Sequence, residues 1–389
     1  MKVCNKNIPC DVTIHEGSFF WSTQDVAPLN LPADIIAFSI DRELIYESFN
    51  NDFGPLDLSA LSRYCRALKA KLDSIRGTSL KLVHFTCSNV NKRANAACLA
   101  LSYLVVVEGM RPENAWAKLS DVRPPFKEFL DASQLTHDFT LSILDVLQGL
   151  EKAIKLGWYD YRTFDVSKFD HWKKVETGDL SWIIPKKFIA FAGPFEEGID
   201  EEGLPASSPE TYFPLFKDAG VTAIVRLNKR QYNAEKFIKA GFRHTDLIFN
   251  DGSVPPDSIR DAFLKYAAKE SILAVHCKAG LGRTGTLIAL YAMIHHKFPA
   301  RAFMGWIRTC RPGSILGVQQ EYLCEMERVL IPGPRGLPHP SITVTEEMLK
   351  EDVGQGERLT KAKASRKYSS STAASDLLNS SFFSNRGEV

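Results

Sequence analysis

The chain has 389 residues, of which 44% are hydrophobic and 24% are charged, a balance typical of a globular protein with two or three domains. The formal net charge is only +2, so any effect of charge on binding must be local. The first residues lack the apolar core of a secretory signal. The longest apolar run, from Cys98 to Val107, is too short to span a bilayer. We therefore expect neither nucleic acid nor a membrane as a partner.

The eight cysteines are scattered along the chain. None forms a CxxC motif, and no cluster of cysteine and histidine has the spacing of a zinc site. We expect no metal and no cofactor. Reduced thiols are the default for such a chain, which predicts a cytosolic or nuclear protein.

In the first half, the residues from Leu82 lead as a predicted strand to Cys87, with Arg93 shortly after it. In the second half, strand and helix patterns alternate from Thr177 to Leu330, as in an α/β domain with a mostly parallel sheet. The predicted strands cover residues 188–191, 221–227, 245–249 and 272–275. The predicted helices cover residues 209–219, 234–239 and 257–270, and a long helix begins near Arg283.

The two halves share one spacing pattern. Each has a strand leading to a cysteine, then an arginine, a tryptophan and an Arg-Pro pair at equal separations. The positions are Cys87, Arg93, Trp116 and Arg123-Pro124 in the first half, and Cys277, Arg283, Trp306 and Arg311-Pro312 in the second. Two tandem copies of one fold explain the pattern most simply, and chance is the alternative.

The last segment, from Ile331 onward, is rich in proline, serine and lysine and has no apolar periodicity. This composition predicts a disordered tail. A basic cluster in it is either a weak nuclear import signal or a solvated charged stretch. Its residues are Lys361, Lys363, Arg366 and Lys367.

The segment from His276 to Gly285 reads HCKAGLGRTG and lies between a predicted strand and a predicted helix. There Cys277 would face a helix N-terminus, whose free N–H groups favour a negative charge and hence the nucleophilic thiolate. The loop from Lys278 to Gly282 can turn its amides inward as a nest for phosphate. The alternative for Cys277 is a buried, inert thiol.

After this loop, Arg283 can bind two phosphate oxygens at once, and Thr284 can donate a hydrogen bond to the sulfur of Cys277. His276 contacts the phosphate loop or only supports it from the core. The predicted phosphate-binding set is His276, Lys278, Ala279, Gly280, Leu281, Gly282 and Thr284. The corresponding loop after Cys87 has no glycine, and Ala94 replaces the threonine, so we expect no catalysis there.

A general acid must protonate the leaving oxygen, since expulsion of a serine alkoxide is otherwise very slow. Asp251 follows a predicted strand in an Asn-Asp-Gly-Ser loop and is the candidate, with a simple Asp-Gly turn as the alternative. Gln319 and Gln320 follow Arg311-Pro312-Gly313. One of them can orient the hydrolytic water, and a solvated helix start is the alternative.

With these residues identified, the chain resembles the cell-division-cycle-fourteen family of dual-specificity phosphatases. The resemblance covers about residues 34 to 330 and includes HCKAGLGRTGTLIA, IVRLNKRQYNAEKFIKAGF, WIIPKKFIAFAGP, CRPGSILGVQQ, AFSIDRELIYESFNNDFGPLDL and KRANAA. It implies Cys277 as nucleophile, Arg283 as phosphate binder and Asp251 as general acid, with no metal or cofactor.

The resemblance also implies how the chain is divided. We expect a non-catalytic phosphatase-like domain at 1–162, a linking helix at 163–176, a catalytic domain at 177–331 and the tail at 332–389. Each domain should contain a mostly parallel central sheet flanked by helices.

The family pattern further implies phosphoprotein substrates in which proline follows phosphoserine and a basic residue lies shortly downstream, the marks of proline-directed kinases. The linking segment supplies acidic side chains for such a basic residue: Asp165, Asp170, Glu176 and Asp179. Asp170, Lys173 and Glu176 have three-residue spacing and could share a helix face. Lys173 departs from the acidic tendency of the family and predicts a weaker basic preference, while a solvated helix of mixed charge is the alternative.

Two other functions compete with this one. Phosphoinositide phosphatases of the phosphatase-and-tensin type share HCKAG and GRTG, but they carry a second lysine where this chain has Leu281. A non-enzymatic phosphoprotein-binding scaffold would need a broken Cys, Arg or Asp, and none is broken here. The resemblance implies the cytoplasm or nucleus, and within them the nucleolus, centrosome or spindle. The oligomeric state stays open.

Overall fold

The computed structural model describes residues 12–15, 17–25, 31–134, 138–201, 203, 206–331, 345–346 and 354–365. The first half forms a four-stranded sheet in the order β1-β2-β4-β3, in which β2 and β3 run parallel to the central β4. Its strands are β1 (Val12–His15), β2 (Phe19–Thr23), β3 (Ile35–Phe38) and β4 (Lys81–Thr86). Its helices are α1 (Leu58–Ser74), α2 (Val90–Val106), α3 (Pro112–Trp116) and α4 (Ile143–Lys155).

A short linking segment joins the halves. Helix α5 (Val166–Trp172) begins at Asp165, whose side chain accepts a hydrogen bond from the Lys168 amide at 2.8 Å. A separate 3-10 turn follows at Val175–Thr177. The expectation that Glu176 shares a helix face with Asp170 is therefore wrong, because α5 ends before Glu176.

The second half forms a five-stranded sheet in the order β5-β6-β9-β7-β8, in which β6 and β7 run parallel to the central β9. Its strands are β5 (Leu180–Ile184), β6 (Phe188–Phe191), β7 (Ala223–Arg226), β8 (Arg243–Asp246) and β9 (Leu273–His276). Its helices are α6 (Pro209–Asp218), α7 (Glu235–Lys239), α8 (Asp257–Lys269), α9 (Gly282–His296), α10 (Ala300–Cys310) and α11 (Val318–Leu330).

The two sheets share one plan: an antiparallel edge pair, then a central strand with parallel neighbours that leads to a cysteine. The predicted α/β fold with two tandem copies is confirmed. The second half adds β8 at its edge, and this strand was predicted at 245–249. It lies earlier because Arg243 pairs with Ala223 and Asp246 with Arg226 across the parallel ladder.

The two halves meet through α4 and α10, which cross at close range. A side chain at Gly149 would collide with the carbonyl oxygen of Ala302, and one at Gly305 would lie 2.8 Å from the Cα of Val146. Two glycines therefore permit the crossing. Buried residues of both halves form one continuous hydrophobic core across this interface, so the first half packs directly against the second.

In the segment predicted as a tail, the structure describes one helix, α12 (Gln355–Ser365), and most of the remaining tail lies outside the described residues. No helical periodicity marks this segment in the sequence, because α12 buries one leucine, Leu359, rather than a continuous apolar stripe. Among the described helices, none is both long and apolar enough to cross a membrane.

Candidate active site

The loop that follows Cys277 lies at the carboxyl end of the central strand β9 and runs into the first turn of α9. Helix α9 begins at Gly282, one residue before the predicted start. In an open parallel sheet, ligands bind outside the carboxyl ends of the strands. Cys277, 3% exposed, therefore occupies the position at which this fold binds ligands, at a helix N-terminus that favours anions.

Hydrogen bonds fix the direction of the loop's peptide groups. The carbonyl of Lys278 accepts from the amide of Gly193 at 2.9 Å. The carbonyls of Ala279 and Gly280 accept from Arg311, at 3.1 Å from Nη2 and 2.8 Å from Nε. Because a trans peptide points its N–H opposite to its C=O, the next three amides face the inside of the loop. These inward amides form a nest suited to a phosphate group.

Two glycines make this close arrangement possible. Gly280 has a φ of +67°, and a Cβ there would collide with the carbonyl oxygen of Phe191. A Cβ at Gly282 would lie 2.8 Å from Oε1 of Gln319. The loop therefore requires glycine at position 280 for backbone reasons, and a side chain at position 282 would displace the buried Gln319.

Arg283 is 5% exposed and is oriented by backbone carbonyls. Its Nη1 donates to the carbonyls of Leu227 and Phe249 at 3.2 and 3.0 Å, and its Nη2 lies 2.9 Å from Oδ1 of Asp251. The Nε is buried and has no hydrogen-bond partner. The guanidinium is thus held in place with donor capacity left for a phosphate.

Thr284 was predicted to donate a hydrogen bond to the sulfur of Cys277. The structure differs, since its Oγ1 is buried without a hydrogen-bond partner.

Asp251 lies in the loop after β8, with its side chain 17% exposed beside Arg283. Its Oδ1 also accepts from the amide of Gly252 at 3.2 Å, and its Oδ2 accepts from the amide of Gly356, at the start of α12, at 2.7 Å. The structure therefore brings the predicted acid next to the predicted phosphate binder, although the two are far apart in sequence.

His276 is fully buried, and its Nδ1 lies 2.9 Å from the carbonyl oxygen of Cys277. Because a carbonyl only accepts, Nδ1 carries the proton and Nε2 accepts from the hydroxyl of Tyr232 at 2.8 Å. Tyr232 in turn lies 2.8 Å from Nε2 of His244. Burial lowers the pKa of His276 to about 3 and that of His244 to about 4. His276 is thus a neutral core histidine that holds the loop from below, the second of its two predicted roles.

Gln319 and Gln320 are both fully buried, so the alternative of a solvated helix start is wrong. Gln319 donates to the carbonyl of Ser253 at 3.0 Å and packs against Gly282 of the phosphate loop. Gln320 instead accepts from Arg308 at 2.6 Å and donates to Asp131 at 2.9 Å. Of the two, Gln319 lies at the phosphate loop and Gln320 in a buried network behind it.

Three loop side chains point away from the nest. Lys278 forms an ion pair with Glu201 at 3.0 Å. Ala279 and Leu281 are buried in a small apolar cluster, which we term the groove cluster. It contains Phe49, Ala132, Ala279, Leu281, Leu316 and Leu359 and so joins both halves of the chain with α12.

The predicted acidic groove is largely paired with cations. Asp170 lies 2.7 Å from Arg63 and 2.8 Å from Lys173, and Lys173 also lies 2.8 Å from Asp57. Burial alone would lower the pKa of Lys173, but Asp57 and Asp170 outweigh it and raise the pKa above its ordinary value. Lys173 therefore stays charged and offsets the acidic residues around it.

Asp179 has a different position from the one expected. Its Oδ1 lies 2.9 Å from Nη1 of Arg311, and its Oδ2 lies 2.6 Å from Nζ of Lys363 in α12. Since Arg311 holds the carbonyls of the phosphate loop, Asp179 supports that loop. Glu176 lies in the 3-10 turn that follows α5.

Two supporting residues were not among the predicted site residues. Arg311 was noted only for the repeated Arg-Pro pair, and that repetition was the one available signal for it. Asp131, from the first half, accepts from the amide of Gly317 at 2.5 Å and from Gln320. No local motif marks Asp131, because its partners lie in the other half of the chain. Among the described residues, no group of histidine, cysteine and carboxylate side chains could hold a metal ion.

Comparison with known proteins is consistent with this site. Residues 13–153 match the family model of the N-terminal half of dual specificity protein phosphatases, and residues 198–297 match that of the DSP-PTPase phosphatase of polymorphic toxin systems.

Curated relatives extend the match over both halves of the chain. The human dual specificity protein phosphatase CDC14A is 50% identical over 295 residues, which cover 75% of this chain and 50% of that protein. Human CDC14C is 47% identical over 287 residues, covering 74% of this chain and 64% of that protein. The tyrosine-protein phosphatase cdc-14 of Caenorhabditis elegans is 42% identical over 297 residues, which cover 75% of this chain and 42% of that protein. The chain thus spans about half the length of these relatives, and it belongs to the CDC14 family of dual-specificity phosphatases.

Proposed function

We propose that the protein hydrolyses phosphate esters on proteins through a phosphocysteine intermediate at Cys277. The observation that carries this proposal is the nest of inward amides around Cys277, built from outward carbonyls held by Arg311 and Gly193. Arg283 and Asp251 complete it at one edge.

In the first step, the Cys277 thiolate attacks phosphorus while the bond from phosphorus to the leaving oxygen breaks. The nest amides and Arg283 bind the equatorial oxygens. Asp251, as the acid, gives its proton to the leaving serine, threonine or tyrosine oxygen. In the free protein, the Nη2 of Arg283 pairs with Asp251. When a phosphate binds, this Nη2 donates to a phosphate oxygen instead, and the Asp251 carboxyl is then free to act as the acid.

In the second step, a water molecule attacks the phosphocysteine and gives a proton to the Asp251 carboxylate. The bond between phosphorus and sulfur breaks, and the thiolate leaves with orthophosphate as the other product. Gln319 packs against Gly282 of the phosphate loop, and we propose it as the residue that orients this water.

Two observations favour a protein substrate over a phosphoinositide. Leu281, where lipid phosphatases of the phosphatase-and-tensin type carry a lysine, is fully buried in the groove cluster. The relatives are also named protein phosphatases. The test is hydrolysis of a phosphoserine-proline peptide compared with a soluble phosphoinositide at equal concentration. Faster turnover of the phosphoinositide would overturn the assignment. If neither substrate is hydrolysed, the protein is a phosphoprotein-binding scaffold and not an enzyme.

For specificity, we propose phosphoserine followed by proline, as produced by proline-directed and cyclin-dependent kinases, with only a weak demand for a basic residue downstream. The two anions Asp57 and Asp170 are matched by the two cations Arg63 and Lys173, so little net charge remains. Because such partly exposed pairs contribute about 0.2–1 kcal/mol, the preference should be a fewfold effect.

Two substitutions test the groove. Lys173→Glu should raise the ratio of kcat/KM between peptides with lysine and with alanine three residues after the phosphoserine, by roughly threefold. Asp170→Lys should lower the same ratio. The effect must shrink at high salt, where the charges are screened. Equal ratios in all three proteins at low salt would eliminate this groove as the specificity site.

We also propose the cytoplasm and nucleus as the location, with the nucleolus, centrosome or spindle within them, in support of a cell-cycle role. The support is the family resemblance. Imaging of the tagged full chain through the cell cycle tests it, and a membrane-bound or secreted protein would refute it.

A further inference from the structure

The loop between α10 and α11 packs directly on the phosphate loop. Gln319, in the first turn of α11, lies against Gly282. Ile315 is fully buried, and its Cγ1 would lie 2.9 Å from a Cβ at Gly285, in the first turn of α9. Ile315 also has a φ of +63°, which a β-branched residue adopts only where surrounding contacts hold it. The contacts that hold this loop therefore decide where Gln319 lies.

One of these contacts comes from the first half of the chain. Asp131 lies between α3 and α4 and is 7% exposed. Its Oδ2 accepts from the amide of Gly317 at 2.5 Å and from Nε2 of Gln320 at 2.9 Å, both in the second half. Its Oδ1 accepts from the amide and the hydroxyl of Ser133, at 3.2 and 2.6 Å. A buried carboxylate is costly unless it is hydrogen-bonded, so these four donors hold Asp131 in place, and Asp131 in turn holds the start of α11.

A buried arginine binds the same loop from its other side. Arg308 of α10 donates to the carbonyls of Ser314 and Ile315 at 3.1 and 3.0 Å, and to Oε1 of Gln320 at 2.6 Å. The Gln320 amide thus links the cation Arg308 to the anion Asp131. Burial lowers the pKa of Arg308, and the charge of Asp131 opposes this shift. Asp131 therefore stabilises the whole network behind the loop.

The side chain of Gln319 is fixed on two sides and has capacity left for a water molecule. Its Oε1 accepts from the amide of Leu316 at 3.2 Å, and its Nε2 donates to the carbonyl of Ser253 at 3.0 Å. Ser253 lies in the same loop as Asp251, the proposed acceptor of the water's proton. A primary amide has two donors and two acceptors, so one of each is left beyond these bonds to described residues. Gln319 can hold a water at the phosphate loop, provided that the first turn of α11 keeps its place.

We propose that Asp131 is a positioning residue for hydrolysis of the phosphocysteine, acting from the non-catalytic half through the start of α11 and Gln319. The inference rests on the proposed function for its two-step reaction. In the second step the water oxygen bonds to phosphorus, the water's proton goes to the Asp251 carboxylate, and the electron pair of the bond between phosphorus and sulfur stays on sulfur. Gln319 has no part in the first step, because no water reacts there. Loss of the Asp131 charge should therefore slow the second step and leave the first unchanged.

The test is Asp131→Asn in the full chain, which keeps the shape of the side chain and removes its charge. Hydrogen bonds to charged groups are worth roughly ten- to hundredfold in a rate or equilibrium constant, and we expect kcat for p-nitrophenyl phosphate to fall by that factor. The KM should fall by the same factor, because phosphoenzyme accumulates, so kcat/KM stays unchanged. A stopped-flow burst of about one p-nitrophenol per active site should appear.

The matched control is Asp145→Asn. Asp145 is also a buried carboxylate of the first half that binds the second half, through Nη2 of Arg301 at 2.8 Å. Its described hydrogen-bond partners lie at the start of α4 and in α10, so this variant should keep the wild-type kcat and KM. An equal fall of kcat in both variants, or a fall of kcat/KM in Asp131→Asn, would overturn the proposal, because either result shows general damage to the interface or to the first step.

The burst amplitude counts active sites, so an unfolded fraction lowers the amplitude and not the rate. If Asp131→Asn does not fold, Gln320→Met, which removes one donor to Asp131 at similar volume, should give the same pattern of kcat and KM. An unchanged pattern in Gln320→Met would then refute the role of Asp131.

A double variant and a labelled substrate complete the test. In a Gln319→Ala background, Asp131→Asn should cause no further fall of kcat, since both changes act on one water. Rate losses that multiply would overturn the proposal. The proposed function can fail separately: a substrate labelled on phosphorus that leaves no label on Cys277 in either protein refutes the intermediate. A labelled Cys277 that turns over at the wild-type rate in Asp131→Asn refutes only the role of Asp131.

Discussion

Each half of the chain has a cysteine after its central strand and an arginine at the same distance beyond it, but only one loop is built to bind an anion. In the first half, carboxylates of the chain itself bind the first two amides of the loop. Asp41 accepts from the amide of Cys87 at 2.8 Å, and Asp25 accepts from the amide of Ser88 at 2.8 Å. Burial, with a contribution from Asp41, raises the pKa of the Cys87 thiol.

The arginines differ in the same way. Arg93 lies over the ring of Phe126, at 4.3 Å from its centroid, and donates to the carbonyl of Pro125 at 3.3 Å. Arg283 is oriented by two carbonyls toward Asp251 and the loop. The spacing of cysteine and arginine is therefore a property of the fold, while the chemistry depends on where amides and guanidinium point.

The largest expected effect separates the two cysteines. Cys277→Ser should reduce turnover below about 1% of wild type, at least ~2.7 kcal/mol of barrier, while phosphate affinity persists because the nest and Arg283 remain. Cys87→Ser should leave the rate nearly unchanged. Steady-state kinetics and orthophosphate binding are the measurements. Substantial activity in Cys277→Ser, or its loss in Cys87→Ser, would reverse the roles of the two loops.

The second-largest expected effect concerns the general acid, Asp251. Asp251→Asn should lower kcat for phosphoserine peptides by roughly 10²–10⁴, since the alkoxide must then leave without a proton. Aryl phosphates, which have good leaving groups, should lose less. Asp41→Asn, the matched change beside the first loop, should change neither rate. Equal losses on both substrate types in Asp251→Asn would argue against its role as proton donor.

Substitution of Arg311 should reduce activity less than substitution of Asp251. Arg311→Lys cannot hold the carbonyls of Ala279 and Gly280 together, and hydrogen bonds from a charged group contribute about 1.5–3 kcal/mol. We expect kcat/KM to fall by roughly ten- to hundredfold, with Arg93→Lys as the control without effect on activity. An unchanged rate in Arg311→Lys would mean that the nest keeps its shape without this support.

The smallest effect concerns stability and pH. Burial lowers the pKa of His84 in the first half to about 3, as it does for His276 in the second. Each is neutral when folded and takes up a proton when unfolded. Both contributions to stability are thus fully present above about pH 6.5 and are lost as the pH falls toward 3.

Urea unfolding at several pH values measures this loss. The free energy of unfolding should fall by about 1.4 kcal/mol per pH unit for each such histidine. His84→Gln and His276→Gln should each remove one such contribution to the slope. If neither variant changes the slope between pH 6 and 4, the two histidines are not buried in the neutral form as the structure indicates.

The sequence by itself determined the second loop and much of the fold. The Cys277 motif is predictable because a strand end, a tight glycine turn and a helix start follow one another directly in the chain, so local backbone chemistry sets the geometry. The alternation of strands and helices predicted the sheet for the same local reason. The repeated spacing in the first half predicted a second copy, and its lack of glycine predicted a loop without catalysis.

Only the tertiary structure decided what surrounds that motif. Arg311 turns the loop carbonyls outward, and Asp179 holds Arg311 instead of lining a groove. The shift of β8 and the docking of α12 also follow from pairing with distant residues. None of these contacts has a local pattern, because each joins side chains and backbone that meet only when separate elements pack. The chain order fixed the nucleophile, and packing fixed the direction of every group that acts on it.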